Sequence, residues 1–394
     1  MPVTVTPYIP KTITVHTGPA NQWAENVTVP FSDYIKNVAS SEIYPTWPEA
    51  ALRANILAQI SFALNRVYTE YYPSRGYDFD ITGSTMNDQK FIKGRSIFDN
   101  VAQLVDELFT TYIRRKGFVE PLSSRFCNGT TVTCDGLSQW GSEALARQGR
   151  TTMEILRHYY GDNIELVSNA PIRDIAYSYP GYPLQNGSSG NYITVLQVML
   201  NRIGKNYPAI PRISPVDGIF GAQTEAAVKK FQSVFNLTSD GIVGQATWYK
   251  LVFLYVGVTN LSELVSEGQP FTAIQAPASG VTLQEGSSGL SVSALQYFIS
   301  IIAQFNSAIP GLSIDGIFGP KTTQAVNAAQ SQFGLPVTGT VNRATWQRLY
   351  DEYLGISRSA LAGANLPTNP QDIQNAVTAG QFPGYNLTYG TADT

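Results

Sequence analysis

The second half of the chain is written twice. "LQNGSSGNYITVLQVMLNRIG" begins at Leu184 and "LQEGSSGLSVSALQYFISIIA" at Leu283, which sets Gly187 and Gly286 99 positions apart. Leu196-Gln197 answers Leu295-Gln296, "DGIFG" recurs at 217–221 and 315–319, and "ATW" ends at Trp248 and Trp346, now 98 apart after a one-residue deletion in a loop. Such a duplication limits this half to two similar small modules. In the first copy Leu196, Met199, Leu200 and Ile203 form one helical stripe, Val228, Phe231 and Phe235 a second, and Trp248 with Leu251 a third. Each copy is therefore expected to be a bundle of three short helices of about 75 residues, with glycine-containing turns between them. The pattern alone leaves two readings open: a structural module whose glycines turn the chain, or a binding module.

Both copies resemble the peptidoglycan-binding domain family, whose pattern has an early Leu-Gln, a central "DGxFGxxT", an "FQ" and a final "DGxxGxxTW". The first copy carries all four, with Thr224, Phe231-Gln232 and Asp240-Gly241. The second has Ala329-Gln330 for Phe-Gln, and Thr338-Gly339 with Asn342 for the last Asp-Gly and later Gly. The resemblance implies glycan strands of peptidoglycan as partner and makes Asp217, Phe220, Asp315 and Phe318 candidate sugar contacts, with weaker affinity in the second copy. "FTAIQAPASGVT" reads as the linker between the modules. "FPGYNLTYG" from Phe382 echoes "YPGYPLQNG" from Tyr179, as the start of a third unit or as a docking segment.

Composition agrees with a neutral, sugar-facing surface. Of 394 residues only 14% are charged, against 43% hydrophobic, with 22 Tyr and 33 Gly. A net charge of −3 without any Lys/Arg cluster offers no footprint for nucleic acid. No apolar run approaches the roughly 20 residues of a membrane span. "MPVTVTPYIPKTITVHTG" lacks the charged start and apolar core of a signal peptide.

Before Pro171 the pattern turns mixed. "TITVHTG" and "ENVTVPF" alternate as strands. Ser32 is expected to cap a helix on which Ile35, Val38 and Glu42 share the apolar face. A carboxylate so placed is desolvated unless paired, and desolvation moves its pKa toward the range of a general acid. The bland alternative makes Glu42 a partner of the next helix's N-terminal dipole or of a nearby Arg. Pro45 stops this helix, and "TWPE" predicts a capping box of Thr46 and Glu49. Leu52, Ile56, Ile60, Leu64 and Val67 then form a long core stripe. Two more helices are expected in "LSQWGSEALARQG" and "TTMEILRHYYG", stopped by Gly149 and Gly161, with a second capping box at Thr151 and Glu154. Ser138, Gln139 and Trp140 either cap and pack or present polar and indole groups to a sugar. Asp78 and Asp80 read as strand-end or turn residues.

Residues of about 25 to 170 resemble the stage II sporulation protein D / LytB family, and within it the spore cortex-lytic enzymes. The matched stretches are "VPFSDYIKNVASSEIYPTWPEAALRAN", "YDFDITGSTMNDQKFIKG" and "GLSQWGSEALARQGRTTMEILRHYYG". The resemblance implies a lytic transglycosylase with Glu42 as its catalytic acid. One acid suffices for that chemistry: it protonates the leaving oxygen of the MurNAc–GlcNAc bond, then deprotonates the muramyl 6-hydroxyl to close a 1,6-anhydro ring. Some family members carry an arginine where this chain has Ile60, and a zinc held by Cys and His. Here His16 and His158 lie far apart, and Cys127 and Cys134 are too few for a metal set, so no metal or other cofactor is expected. A local disulfide is favoured over zinc, with free thiols the third option.

The expected architecture is an α+β catalytic domain (1–172), two all-α three-helix peptidoglycan-binding modules (180–256 and 280–355) and a tail (356–394). Its expected place is the cell wall or the spore cortex and coat. The resemblance implies one of two histories: a precursor trimmed by an activating protease, or release inside a spore or by lysis. The rival expectation is a non-catalytic wall-binding protein that organises other hydrolases, as the departure at Ile60 allows.

Overall fold

A computed structural model describes residues 7–269 and 282–361, except 289, 304 and 314. The chain divides into two compact units, 1–270 and 271–394. The interdomain linker and the "FPGYNLTYG" segment fall outside the described residues, as does the tail beyond 361.

The N-terminal half is α+β. Strand β1 (Ile9–Pro10) leads into β2 (Thr12–His16) and β3 (Asn26–Pro30). β2 and β3 pair antiparallel from Thr12↔Pro30 to His16↔Asn26, and β4 (Ile81–Thr82) adds in parallel at Val15↔Ile81. Ile13 and Val15 on one face of β2 are fully buried, the period-2 signature of a half-covered sheet.

Helix α1 (Phe31–Glu42) follows β3 directly. Its first residue is Phe31 and Pro30 stands at the N-cap position, so Ser32 lies inside the helix and does not cap it. α2 (Glu49–Tyr68) likewise starts behind a proline, Pro48, with no side-chain cap. The Thr46–Glu49 capping box does not form, because Glu49 opens the helix instead of standing three residues inside it. Glu49 pairs with Arg53 one turn on, at 2.6 Å. The Thr151–Glu154 box is present at the start of α5 (Thr152–Tyr160).

α2 is the axle of this half. Leu52, Ile56, Ile60 and Leu64 pack on the β2 side with Ile35 and Val38 of α1 and with Val101 and Val105 of α3 (Asp99–Leu108). The opposite face, with Ala54, Leu57 and Ala58, forms a second core with Ile113 of β5 (Tyr112–Arg115) and Ile155 and Leu156 of α5. A helix buried on both sides shows no single apolar stripe, which hides its second contact from a periodicity argument. Three more short pairings complete the half. β6 (Phe126–Cys127) runs parallel to β7 (Leu137–Ser138), β5 pairs antiparallel with β8 (Ile164–Val167), and β1 pairs in parallel with β9 (Ile172–Arg173). α4 (Gln139–Arg147) continues directly from β7.

Each module is a three-helix bundle: α6 (Asn191–Asn206), α7 (Ala222–Val234) and α8 (Gln245–Thr259), then α9 (Leu290–Ala303), α10 (Pro320–Gln332) and α11 (Arg343–Leu361). A finer repeat appears inside each bundle. Buried Gln197 accepts from the backbone N–H groups of Asp217 and Gly218, and donates to the Asp217 carboxylate, the Ile219 carbonyl and Thr224. Gln232 accepts from the Gly241 N–H and donates to the Asp240 carboxylate, the Ile242 carbonyl and Thr247. Gln296 likewise accepts from the Gly316 N–H and donates to the Asp315 carboxylate, the Ile317 carbonyl and Thr322. At the fourth position Thr338 replaces the aspartate, yet Gln330 still binds its hydroxyl at 3.2 Å and the N–H groups of Thr338 and Gly339. One buried amide thus closes each "DGxxG"-type turn, and the second module folds without its last Asp-Gly.

The first module belongs to the same compact unit as the α+β half. After α8 the chain returns to that half: Asn65 Nδ2 donates to the Leu261 carbonyl, Ser123 Oγ to that of Ser262, and Tyr68 to Gln269 Oε1. Trp248 Nε1 donates to Ser178 Oγ, which in turn donates to the buried Glu70.

Candidate active site

Glu42 is the last residue of α1, half-buried where the helix meets the segment before α2. Its Oε1 accepts the backbone N–H of Lys90 at 2.7 Å and its Oε2 accepts Gln139 Nε2 at 2.8 Å. Among the described residues no arginine forms an ion pair with it. Burial pushes its pKa up to about 7 against these two hydrogen bonds, which favour the charged form and pull the other way. The carboxyl is therefore poised to hold and release a proton near neutrality.

Both donors are held firmly. The Lys90 segment is fastened position by position. Asp88 pairs with buried Arg66 at 2.8 Å, and Gln89 accepts from Tyr34 and donates to the Gln59 carbonyl. Ile92 exchanges two hydrogen bonds with the side chain of Asn37, which precedes Glu42 on α1. Gln139 starts α4, where Ser138 Oγ caps the helix by accepting the Gly141 N–H at 2.9 Å. Asn55 of α2 donates to Ser142 Oγ, and Ser142 donates to the Gln139 carbonyl. A Cβ at Gly141 would lie 2.2 Å from the Tyr159 hydroxyl and 2.9 Å from Ser138 Oγ, so enlarging it requires these side chains to shift.

The approach to Gln139 is braced by a disulfide. Cys127 and Cys134 are bonded, and Cys127 is the strand partner of Ser138. The Trp140 N–H donates to the carbonyl of Asn128 inside the closed loop. Among the described residues no group of three or more His, Cys, Asp or Glu could hold a metal.

For Ser138 and Gln139 the sequence leaves capping or sugar contact open; in the structure Ser138 Oγ caps α4 and Gln139 Nε2 grips Glu42. Trp140 remains 41% exposed. In the modules Phe220 and Phe318 are fully buried and belong to the cores, so they present no face to a sugar. Asp217 and Asp315 close their own turns through Gln197 and Gln296 and through the N–H groups of Ile219 and Ile317. Sequence reasoning passed over Tyr44 and Trp47. They stand two and five positions after Glu42 and cluster with Trp140, and aromatic residues flanking Pro45 beside a candidate acid were the available signal.

Residues 20–107 match the stage II sporulation protein family, and residues 189–251 and 288–349 each match the putative peptidoglycan-binding domain. The chain is 40% identical over 78 residues to a zinc D-Ala-D-Ala carboxypeptidase of Streptomyces albus G, covering 20% of this chain and 29% of that protein. It is 28% identical over 163 residues to a probable N-acetylmuramoyl-L-alanine amidase of Bacillus licheniformis, covering 41% and 43%. It thus spans less than half the length of either relative. A crystal structure of the SleB N-terminal domain aligns with 32% identity over 20% of this chain and 97% of that one, at a TM-score of 0.17. Among the described residues no helix is long and apolar enough to cross a membrane. The chain carries a stage II sporulation protein region, with Glu42 inside it, followed by two putative peptidoglycan-binding domains.

Proposed function

We propose that the protein is a peptidoglycan lytic transglycosylase in which Glu42 acts first as general acid and then as general base. The observation that carries this reading is the Glu42 carboxyl, held by Lys90 N–H and Gln139 Nε2 with its pKa raised to about 7. A single such group can protonate the glycosidic oxygen of the MurNAc–GlcNAc bond and then accept the muramyl 6-hydroxyl proton, closing the 1,6-anhydro ring without an activated water. The peptidoglycan-binding modules support wall glycan as substrate by concentrating the acid at an insoluble polymer. The sporulation-family region favours the spore cortex during germination as the setting, reached by a precursor that a protease trims or by release within the spore.

Purified peptidoglycan digested with wild-type protein and with Glu42→Gln, followed by mass spectrometry, tests the reading. The expected result is 1,6-anhydro-muramyl ends from wild type alone. Reducing ends would identify a hydrolase, and equal product from both proteins would remove Glu42 as the acid.

A further inference from the structure

Three aromatic rings meet beside Glu42. The Tyr44, Trp47 and Trp140 centroids are 5.8 Å (44 to 47), 5.6 Å (44 to 140) and 5.0 Å (47 to 140) apart. Trp47 is buried beneath, at 6% exposure, while Tyr44 and Trp140 stay open at 56% and 41%. Large aromatic surface left in water beside a rigid base is unfavourable by itself and becomes favourable when an apolar face covers it. The two open rings ride on the backbone that builds the acid: Tyr44 is two residues beyond Glu42, and Trp140 follows the glutamine that grips it. Neither Tyr44 nor Trp140 follows from the acid chemistry, which uses only the carboxyl.

We propose that Tyr44 and Trp140 form a stacking subsite for a pyranose ring of the glycan strand, with Trp47 as its floor. A pyranose presents a flat face of C–H groups that an aromatic ring covers, and its rim of hydroxyl and acetamido groups stays in water. Two exposed aromatic residues, close in the chain to Glu42 and to its partner Gln139, hold a neutral sugar where an ion-paired surface would not. The subsite deepens the transglycosylase reading, since it supplies a fixed ring position next to the bond that Glu42 protonates.

The test uses soluble chitotetraose, which reports ring binding independently of cleavage and is small enough to be followed at a single indole. NMR titration of the full chain is expected to shift the Trp140 indole N–H resonance in a saturable manner. Tyr44→Ala and Trp140→Ala are each expected to weaken binding about fivefold, and Trp140→Phe to retain most of it. Thermal unfolding of the variants checks that each remains folded. An unmoved Trp140 resonance, or unchanged affinity in both alanine variants, overturns the subsite. A wild-type KM on peptidoglycan for Trp140→Ala, with anhydro product still formed, sinks the subsite and leaves the reaction standing. Chitotetraose binding at Trp140 without any anhydro product sustains the subsite and sinks the reaction.

Discussion

The Nε2 of Gln139 lies 2.8 Å from the Oε2 of Glu42, although 97 positions separate the two residues. This contact joins the end of α1 to the start of α4, and it stabilises the charged form of a carboxyl that burial pushes toward the neutral form. The behaviour of Glu42 with pH follows from the balance of these two effects.

With a pKa of about 7, Glu42 carries its proton below that pH and loses it above. The rate limb that depends on the acid is expected to fall as pH rises through 7. Initial rates of anhydro-product release from pH 5 to 9 measure it, and a limb near the ordinary carboxylate value would contradict the site's desolvation.

Gln139→Ala removes a donor that favours the charged carboxylate. The limb should move upward by about one pH unit, since a hydrogen bond to a charged group is worth roughly 1.5 to 3 kcal/mol before water replaces part of it. A variant that is slower at every pH with an unmoved limb would make Gln139 a purely structural contact.

Reduction of Cys127–Cys134 is expected to move the limb in the same direction as Gln139→Ala but less far, because the closed loop holds the backbone around Ser138 and Trp140. The stability lost by opening so short a loop is modest, about 2 kcal/mol by chain entropy. pH profiles with and without reductant, beside thermal unfolding curves, separate the local effect from global loosening.

Much of the α+β half could be read from residue order. The strands of "TITVH" and "NVTVP", the Ile35–Val38–Glu42 face and the Thr151 capping box are local patterns, set by neighbours within a few positions. The prolines misled: Pro30 and Pro48 themselves occupy the N-cap positions that Ser32 and Thr46 were expected to fill or control. The partners of Glu42 were illegible for another reason. Lys90 contributes a backbone N–H, which every non-proline residue has, and Gln139 is brought in by long-range packing. Asp217 of the first "DGIFG" turn is employed by a glutamine 20 positions upstream, and Phe220 is buried in the module core, neither of which the turn itself reveals.

Gln197→Ala should destabilise the first module by about 2 to 4 kcal/mol, since it strands two backbone donors and several acceptors in a buried turn. Thermal unfolding of the full chain checks this. A shift within that of a surface substitution would mean that water or relaxation satisfies the turn.

Glu70 and Glu120 are buried where the first module meets the α+β half, and burial raises both carboxyls above their usual range. The folded state therefore holds protons that the unfolded chain releases, so stability falls as pH rises between the unfolded and folded pKa values. Hydrogen-exchange protection factors across residues 260–269, corrected for the intrinsic pH dependence of exchange, are expected to be higher at pH 5 than at pH 8. The reverse order would show that the hydrogen bonds from Ser178 and Gln269 outweigh desolvation.

The return of the chain after α8 gives the first module and Glu42 a common frame. If the proposed transglycosylase reading holds, a strand bound by that module would meet the carboxyl at a set offset, as work meets a blade against a fence. Fragments released from long glycan should then cluster at a preferred length, and cutting Asn65 and Ser123 back to alanine, which frees the Leu261 and Ser262 carbonyls, should blur that spacing before it slows the chemistry.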